Sequence, residues 1–167
     1  ERSPTMQHTL TVFRFTLFYA DKLVADIDDA DLTVIPHPGM NHPAWILGHL
    51  ALVADLVAKV VGQPMQTGTR AMVTYGPGSK PEADRSRYPS KAELLSDLQR
   101  YSERAIALAS SATSAQLNAP NQTPFFPAEF PLMGDLLTHM LSTHPAAHLG
   151  QLSAWRRCVG KGSVLRV

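Results

Sequence analysis

Seven histidines occur in this chain, and three of them fall where imidazoles can converge on one ion. His144 and His148 are spaced i,i+4, so on a helix they lie about 40° apart and one turn displaced. That spacing lets two rings meet at one point, which is why H-x-x-x-H on a helix recurs in zinc sites. His49 belongs to a separate apolar segment, between Ile46 and Val53. Neutral imidazoles buried without partners cost roughly 1–3 kcal/mol each. A divalent ion would take three nitrogens and leave a position for water or substrate, the arrangement of catalytic zinc. The plain alternative is three core histidines satisfied by neighbouring polar groups.

The remaining histidines do not share this logic. On a continuous helix His139 would lie about 140° around from His144. His37 sits in a proline-flanked loop, His42 in a first helical turn and His8 near the start, so all four are expected to be structural or solvent-facing. Gln151, one turn beyond His148, is a candidate to orient a ligand or touch a substrate, or to satisfy a buried backbone group. No general base accompanies the set: Asp135 is more than two turns before His144, and Asp55 is off the face of His49. Carboxylate-bridged di-iron chemistry is disfavoured because no Glu-x-x-His pair occurs, and covalent haem because C-x-x-C-H is absent.

Four periodic segments must position these side chains. The first covers about residues 8–27, with Val12, Phe15, Tyr19, Leu23 and Ile27 as its apolar stripe. The second opens with Asn41 as N-cap and Pro43 in its first turn, runs through Trp45, His49 and Val60, and stops at Gly62. The third follows Pro89, where Ser90 and Glu93 have capping-box spacing, and continues through Leu94, Leu98, Tyr101 and Ala105. The fourth runs from near Pro131 to about Gly160, with Leu137, Leu141, His144, His148, Gln151 and Trp155 in register. Pro145 lacks an N–H and its ring crowds the preceding turn, so a kink at the ligands is expected.

Proline and glycine mark the gaps. Residues 35–39 and 118–131 read as loops, while the stretch 63–89 is far longer than the roughly 2–8 residues usual between bundled helices. Such a connection can cross the length of a bundle and let the second and third helices run parallel; Val73, Thr74 and Tyr75 could add a short extended piece to it. The expectation is all-α: a four-helix bundle with a long crossover connection between helices 2 and 3, one domain over 1–167.

Composition narrows the function classes. A net charge of +1 without a basic run argues against nucleic acid, which calls for a basic face. No stretch reaches about 18 uninterrupted apolar residues, so no membrane span is expected. Residues 1–9 lack the basic start of a signal peptide. Cys158 is the single cysteine, which rules out an internal disulfide, fits a reducing cytoplasm and reads as a small buried hydrophobe near a helix end. Trp155 reads as core.

The stretches NHPAWILGHL over 41–50 and HPAAHLGQL over 144–152 resemble the second- and fourth-helix motifs of the DinB-like (YfiT-like) metal-dependent proteins. Their order and separation match, and the resemblance covers most of the chain. It implies a four-helix bundle with a long crossover, and metal ligands at His49, His144 and His148. It further implies a divalent metal such as nickel or zinc, hydrolase-like or thiol S-transferase chemistry with a low-molecular-weight thiol, a small-molecule substrate, and a homodimer. Two positions depart from the pattern: Leu149 stands where many members carry a basic residue, and Pro145 interrupts the histidine pair. With no base beside the ligands, a non-catalytic metal- or small-ligand-binding stress-response module is the alternative.

Overall fold

The structure is a computed structural model and describes residues 4–165, so the signal-peptide reading of residues 1–9 lies partly outside them. Among the described residues seven α-helices follow one another: α1 (Pro4–Val24), α2 (Pro43–Val60), α3 (Thr69–Tyr75), α4 (Lys91–Ser111), α5 (Ser114–Leu117), α6 (Met133–Leu141) and α7 (Thr143–Cys158). Short 3₁₀ turns cover Asp29–Thr33 and Arg85–Arg87. The described residues hold no strand, only an isolated bridge between Pro120 and Leu132. Val73, Thr74 and Tyr75, read as a possible extended piece, are instead helical in α3.

The element at the centre is α2. It is apolar on every side, and all of its eighteen residues except Val53, Leu56 and Lys59 are buried. Such a helix has the length and hydropathy of a membrane span, yet here its surface is taken up by the other helices. It packs most extensively on α4 and also meets α3, α6 and α7, while α1 lies on α7, α4 and α6.

Local signals set its ends. Pro43 occupies the first helical position, where its missing N–H costs nothing. The N-cap is His42 rather than Asn41: the His42 Nδ1 accepts from Trp45 N at 3.1 Å. At the other end Gly62 adopts φ +78°, and Gln63 N donates to Ala58 O at 2.7 Å while Gly62 N donates to Lys59 O. That pair of reversed bonds satisfies carbonyls the helix leaves open, and only glycine takes the left-handed turn without strain. Helix α4 opens with the anticipated capping box, Ser90 N donating to Glu93 Oε2 at 2.8 Å and Glu93 N to Ser90 Oγ.

The fourth segment is not one helix. It breaks at Ser142, whose φ −137° and ψ −80° are non-helical, so α6 ends at Leu141 and α7 starts at Thr143. Pro145 therefore sits in the first turn of α7, where a proline is tolerated, and the kink falls before His144 instead of between the two histidines.

The α1 stripe also differs. Val12 and Phe15 are 49% and 54% exposed, whereas Leu10, Phe13, Ala20 and Val24 are buried. Cys158 is exposed, not buried. Trp155 is core as anticipated, its indole N–H donating to Val34 O at 2.7 Å. At the same end of the protein, the buried Arg156 guanidinium bonds the Asp26 carboxylate and the Leu23 carbonyl, tying α7 to the end of α1.

His42 makes the fold acid-sensitive. Its second nitrogen bonds Glu82 O at 3.0 Å, and burial pushes its pKa down to about 4 from 6.5. The unfolded chain takes up that proton near pH 6.5 and the folded chain only near 4, so stability is full above 6.5 and is lost between 6.5 and 4. An asparagine keeps a capping oxygen but does not titrate. His42→Asn should therefore lose about 2 kcal/mol less than wild type between pH 7 and pH 5 in urea unfolding. Equal losses in both proteins would show that His42 does not carry this acid response.

Candidate metal centre

Three helical positions supply the site: His49 from the middle of α2, and His144 and His148 from successive turns of α7. The structure brings the three residues together, with one ring nitrogen of each within 4.8 Å of the other two. The His49 and His144 Nε2 atoms are 3.1 Å apart. Nitrogens bound at about 2.0–2.1 Å to a tetrahedral ion would stand roughly 3.3 Å apart, so this spacing suits a shared metal.

Each neighbour has a recognisable task. His49 Nδ1 donates to the Tyr75 carbonyl at 2.7 Å, because a carbonyl can only accept. His148 Nδ1 lies 3.1 Å from Gln151 Oε1, which also accepts from Asn41 Nδ2 at 2.9 Å. Both bonds place the ring proton on Nδ1 and leave Nε2 as a lone pair facing the cluster. Trp45 stacks on His49 with ring planes 9° apart and centroids 4.7 Å apart, fixing the plane of the imidazole. Gly48 allows the Tyr75 ring to approach: a Cβ there would sit 2.3 Å from it.

The electrostatics follow from this enclosure. Burial lowers the His144 pKa to about 3, with further lowering from His148, His49 and His139. Burial and then His49 bring His148 to about 4, and burial lowers His49 as well. All three are neutral near pH 7, the form that ligates metal. At least two bare lone pairs then converge with at most one proton, from His144, to place between them. Its own Nδ1 is buried with no partner. A divalent cation would resolve the crowding of acceptors, so the residues present fit one.

His139 stands outside the three-histidine group, but its ring is close by. Its ring lies 5.8 Å from that of His144, edge to face, and stacks on Phe130 at 4.6 Å. Its Nδ1 is paired with Thr143 Oγ1 at 2.6 Å. The break at Ser142 resets the helical phase, so the angle counted along a continuous helix did not apply. Of the other three, His8 and His37 are exposed and His42 is a buried cap. Asp55 is held by Arg104 on α4, and Asp135 caps α6, its carboxylate accepting from Leu132 N; neither reaches the histidines. Trp45, Tyr75 and Asn41 are supporting residues that spacing alone does not reveal, although Trp45 lies one turn before His49.

Several cavities border α2. One of about 450 Å³ is lined by Tyr88, Tyr101, Arg70 and Asp97 and contains none of the histidines. Another, about 380 Å³, has His49, His139 and His144 in its wall.

With this geometry in place, the match to known proteins is informative. The family model of the DinB superfamily matches residues 13–152, most of the chain and all three histidines. The chain belongs to the DinB superfamily. Among curated proteins, none gives a significant match. In this DinB-superfamily protein the histidine pair of α7 and the single histidine of α2 form one cluster that could hold a metal ion.

Proposed function

We propose that this DinB-superfamily protein binds one divalent ion, nickel or zinc, through His49, His144 and His148 and uses it in thiol S-transfer or hydrolysis of a small molecule. The observation that carries the reading is the convergence of neutral imidazoles whose Nδ1 sides, on His49 and His148, are already tied to Tyr75 and Gln151. Three neutral nitrogens suit zinc and nickel. When bound, such an ion supplies Lewis acidity, polarising a substrate or making a low-molecular-weight thiol more acidic. The protein's own part is to orient: Tyr75 and Gln151 set the tautomers, and Trp45 holds the His49 ring.

The architecture we propose for it is one domain, a four-helix bundle in which α6 and α7 together count as the fourth helix and the chain crosses over after α2. Contacts at both ends support this: His42, before α2, bonds Glu82 and packs edge-on against Tyr88, while Gln116, after α4, bonds Val61. A homodimer is supported by the exposed Val12, Phe15 and Phe18 on α1, and a reducing cytoplasm by the exposed free thiol of Cys158. The lack of a carboxylate at the cluster among the described residues favours a second reading, a module that holds a metal or small ligand without turnover.

Metal content per chain, together with turnover of a thiol and an electrophile before and after chelation, tests the proposal. About one ion per chain and activity abolished by chelator are expected. Metal without turnover would leave the binding module; no metal after incubation with zinc and nickel would end the metal-dependent enzyme reading and leave only a module for a small ligand.

A further inference from the structure

The cavity beside His49 and His144 has a chemical character of its own. Its walls include Leu56, Met72, Phe125, Phe126, Leu136 and Met140, and no Asp, Glu, Lys or Arg lines it. Val53 and Leu56, two of the three α2 residues that the other helices leave incompletely buried, face this space. Among the described residues that line it, the polar side chain besides the three imidazoles is Thr143, and the Thr143 hydroxyl and His139 Nδ1 satisfy each other. A charged group entering here would lose its hydration and find no counter-ion. The remaining polarity of the wall is that of the imidazoles of His49, His139 and His144.

The outer wall is held in an unfavourable conformation. Phe126 has φ +50°, a left-handed backbone that bulky side chains rarely adopt. Asn121 knots the loop into that shape. Its Nδ2 donates to Phe125 O at 3.0 Å and Phe130 O at 2.9 Å, and its Oδ1 accepts from Thr123 N and Oγ1. Phe130 N closes the turn on Phe126 O at 2.8 Å. The Phe126 ring stands edge-on to both Phe130 and His139, with centroids 6.1 Å away in each case, and is 56% exposed. Strain kept by an over-determined loop is characteristic of places where a side chain is aimed at a ligand.

We infer that this site accepts a small molecule with an uncharged, apolar body of one or two rings, seated against Phe126, with its polar reactive group toward His49 and His144. Size agrees: an apolar space of about 150 Å³ holds benzene, and this one is about 380 Å³. Phe126 is then a specificity-determining contact, and Asn121 positions it. The inference rests on the metal reading above for the placement of the reactive group.

Hydroxamates separate the two ideas, because the chelating group stays constant while the body changes. On zinc-loaded protein, benzohydroxamate should bind at least about 10-fold tighter than acetohydroxamate, from the apolar area its ring buries. A 4-carboxylate on the ring should remove that gain, because the charge is buried without a partner. Phe126→Ala, on an exposed loop, and Leu56→Trp, which fills the cavity, should each cut the gain to below about 3-fold and leave acetohydroxamate binding unchanged. Equal binding of the two hydroxamates by wild type, or an undiminished gain for the carboxylated ring, would overturn the inference with the metal reading intact. Zinc-loaded protein that binds neither hydroxamate would likewise overturn the inference; if the protein takes up no zinc, the metal reading fails, and NMR titration of metal-free protein with indole decides the remainder. Saturable indole binding lost in Leu56→Trp upholds the apolar site; no binding overturns it.

Discussion

His144→Ala is expected to weaken zinc or nickel binding by more than about 100-fold, beyond what loss of an orienting partner costs, while the metal-free protein keeps its stability to within about 1 kcal/mol. The two halves of this result have separate causes. His144 Nε2 lies 3.1 Å from His49 Nε2, so removing it takes away one of the three converging nitrogens. Its Nδ1 is buried without a partner, so the metal-free protein gives up a poorly satisfied group in exchange for a small void beside an existing cavity. With metal at 1,000 times the wild-type dissociation constant, wild type should gain about 4 kcal/mol against denaturant and the variant no more than about 1.4 kcal/mol. Isothermal titration and urea unfolding with and without metal give both numbers. Unchanged metal affinity would remove His144 from the ligand set. A stability loss of several kcal/mol without metal would mark the histidines as core residues and nothing more.

Asp55→Ala is the change expected to damage the fold most, at about 3–5 kcal/mol, or a fall in Tm of roughly 10 °C. Asp55 is fully enclosed on α2, and its two oxygens serve four donors. Oδ1 accepts from Arg104 Nη1 at 2.6 Å, and Oδ2 from Gln66 N, Thr67 N and Thr67 Oγ1. Alanine would leave a partly buried guanidinium and two backbone amides without their acceptor. Replacing both partners, as Asp55→Leu with Arg104→Met, should recover only part of the loss, because the amides of residues 66 and 67 stay unpaired. The effect reaches the metal site too. Residues 66 and 67 lead into α3, whose last residue, Tyr75, holds His49 by its carbonyl, so Asp55→Ala should also lower metal affinity by up to about 10-fold. Thermal and urea unfolding test the first claim, and a loss below about 1 kcal/mol would contradict it.

The contrast between these residues explains what could be read in advance. Asp55 is on an apolar helix and looks anomalous, but its partners come from the long connection and from α4, which no local pattern links to it. His144 and His148 share a helix, and their i,i+4 spacing is legible because a single helix enforces it. His49 shows itself by lying on an apolar helix. His139 stays outside the three-histidine group, yet its ring packs beside His144, because counting angles assumes an unbroken helix and the chain breaks at Ser142. Asn41 has the composition of an N-cap, yet His42 takes that role and Asn41 is used by Gln151.

The sequence by itself determined the helical composition of this protein, the capping box of α4, the glycine stop of α2 and the identities of the clustered histidines. Those features depend on a few neighbouring residues and on the 3.6-residue period, so they are written within each segment. Tertiary structure decided the rest. The α1 segment is apolar around much of its circumference, and packing on α7, α4 and α6 selected Phe13 and buried it while leaving Phe15 outside. It placed the break at Ser142, which swung His139 toward His144 and put Pro145 in a tolerated first turn. It also brought the Tyr75 carbonyl to His49 and the Asn121 loop over the cavity. These contacts join segments far apart in the chain, and their energies are set by how whole helix faces fit together, which no single segment encodes.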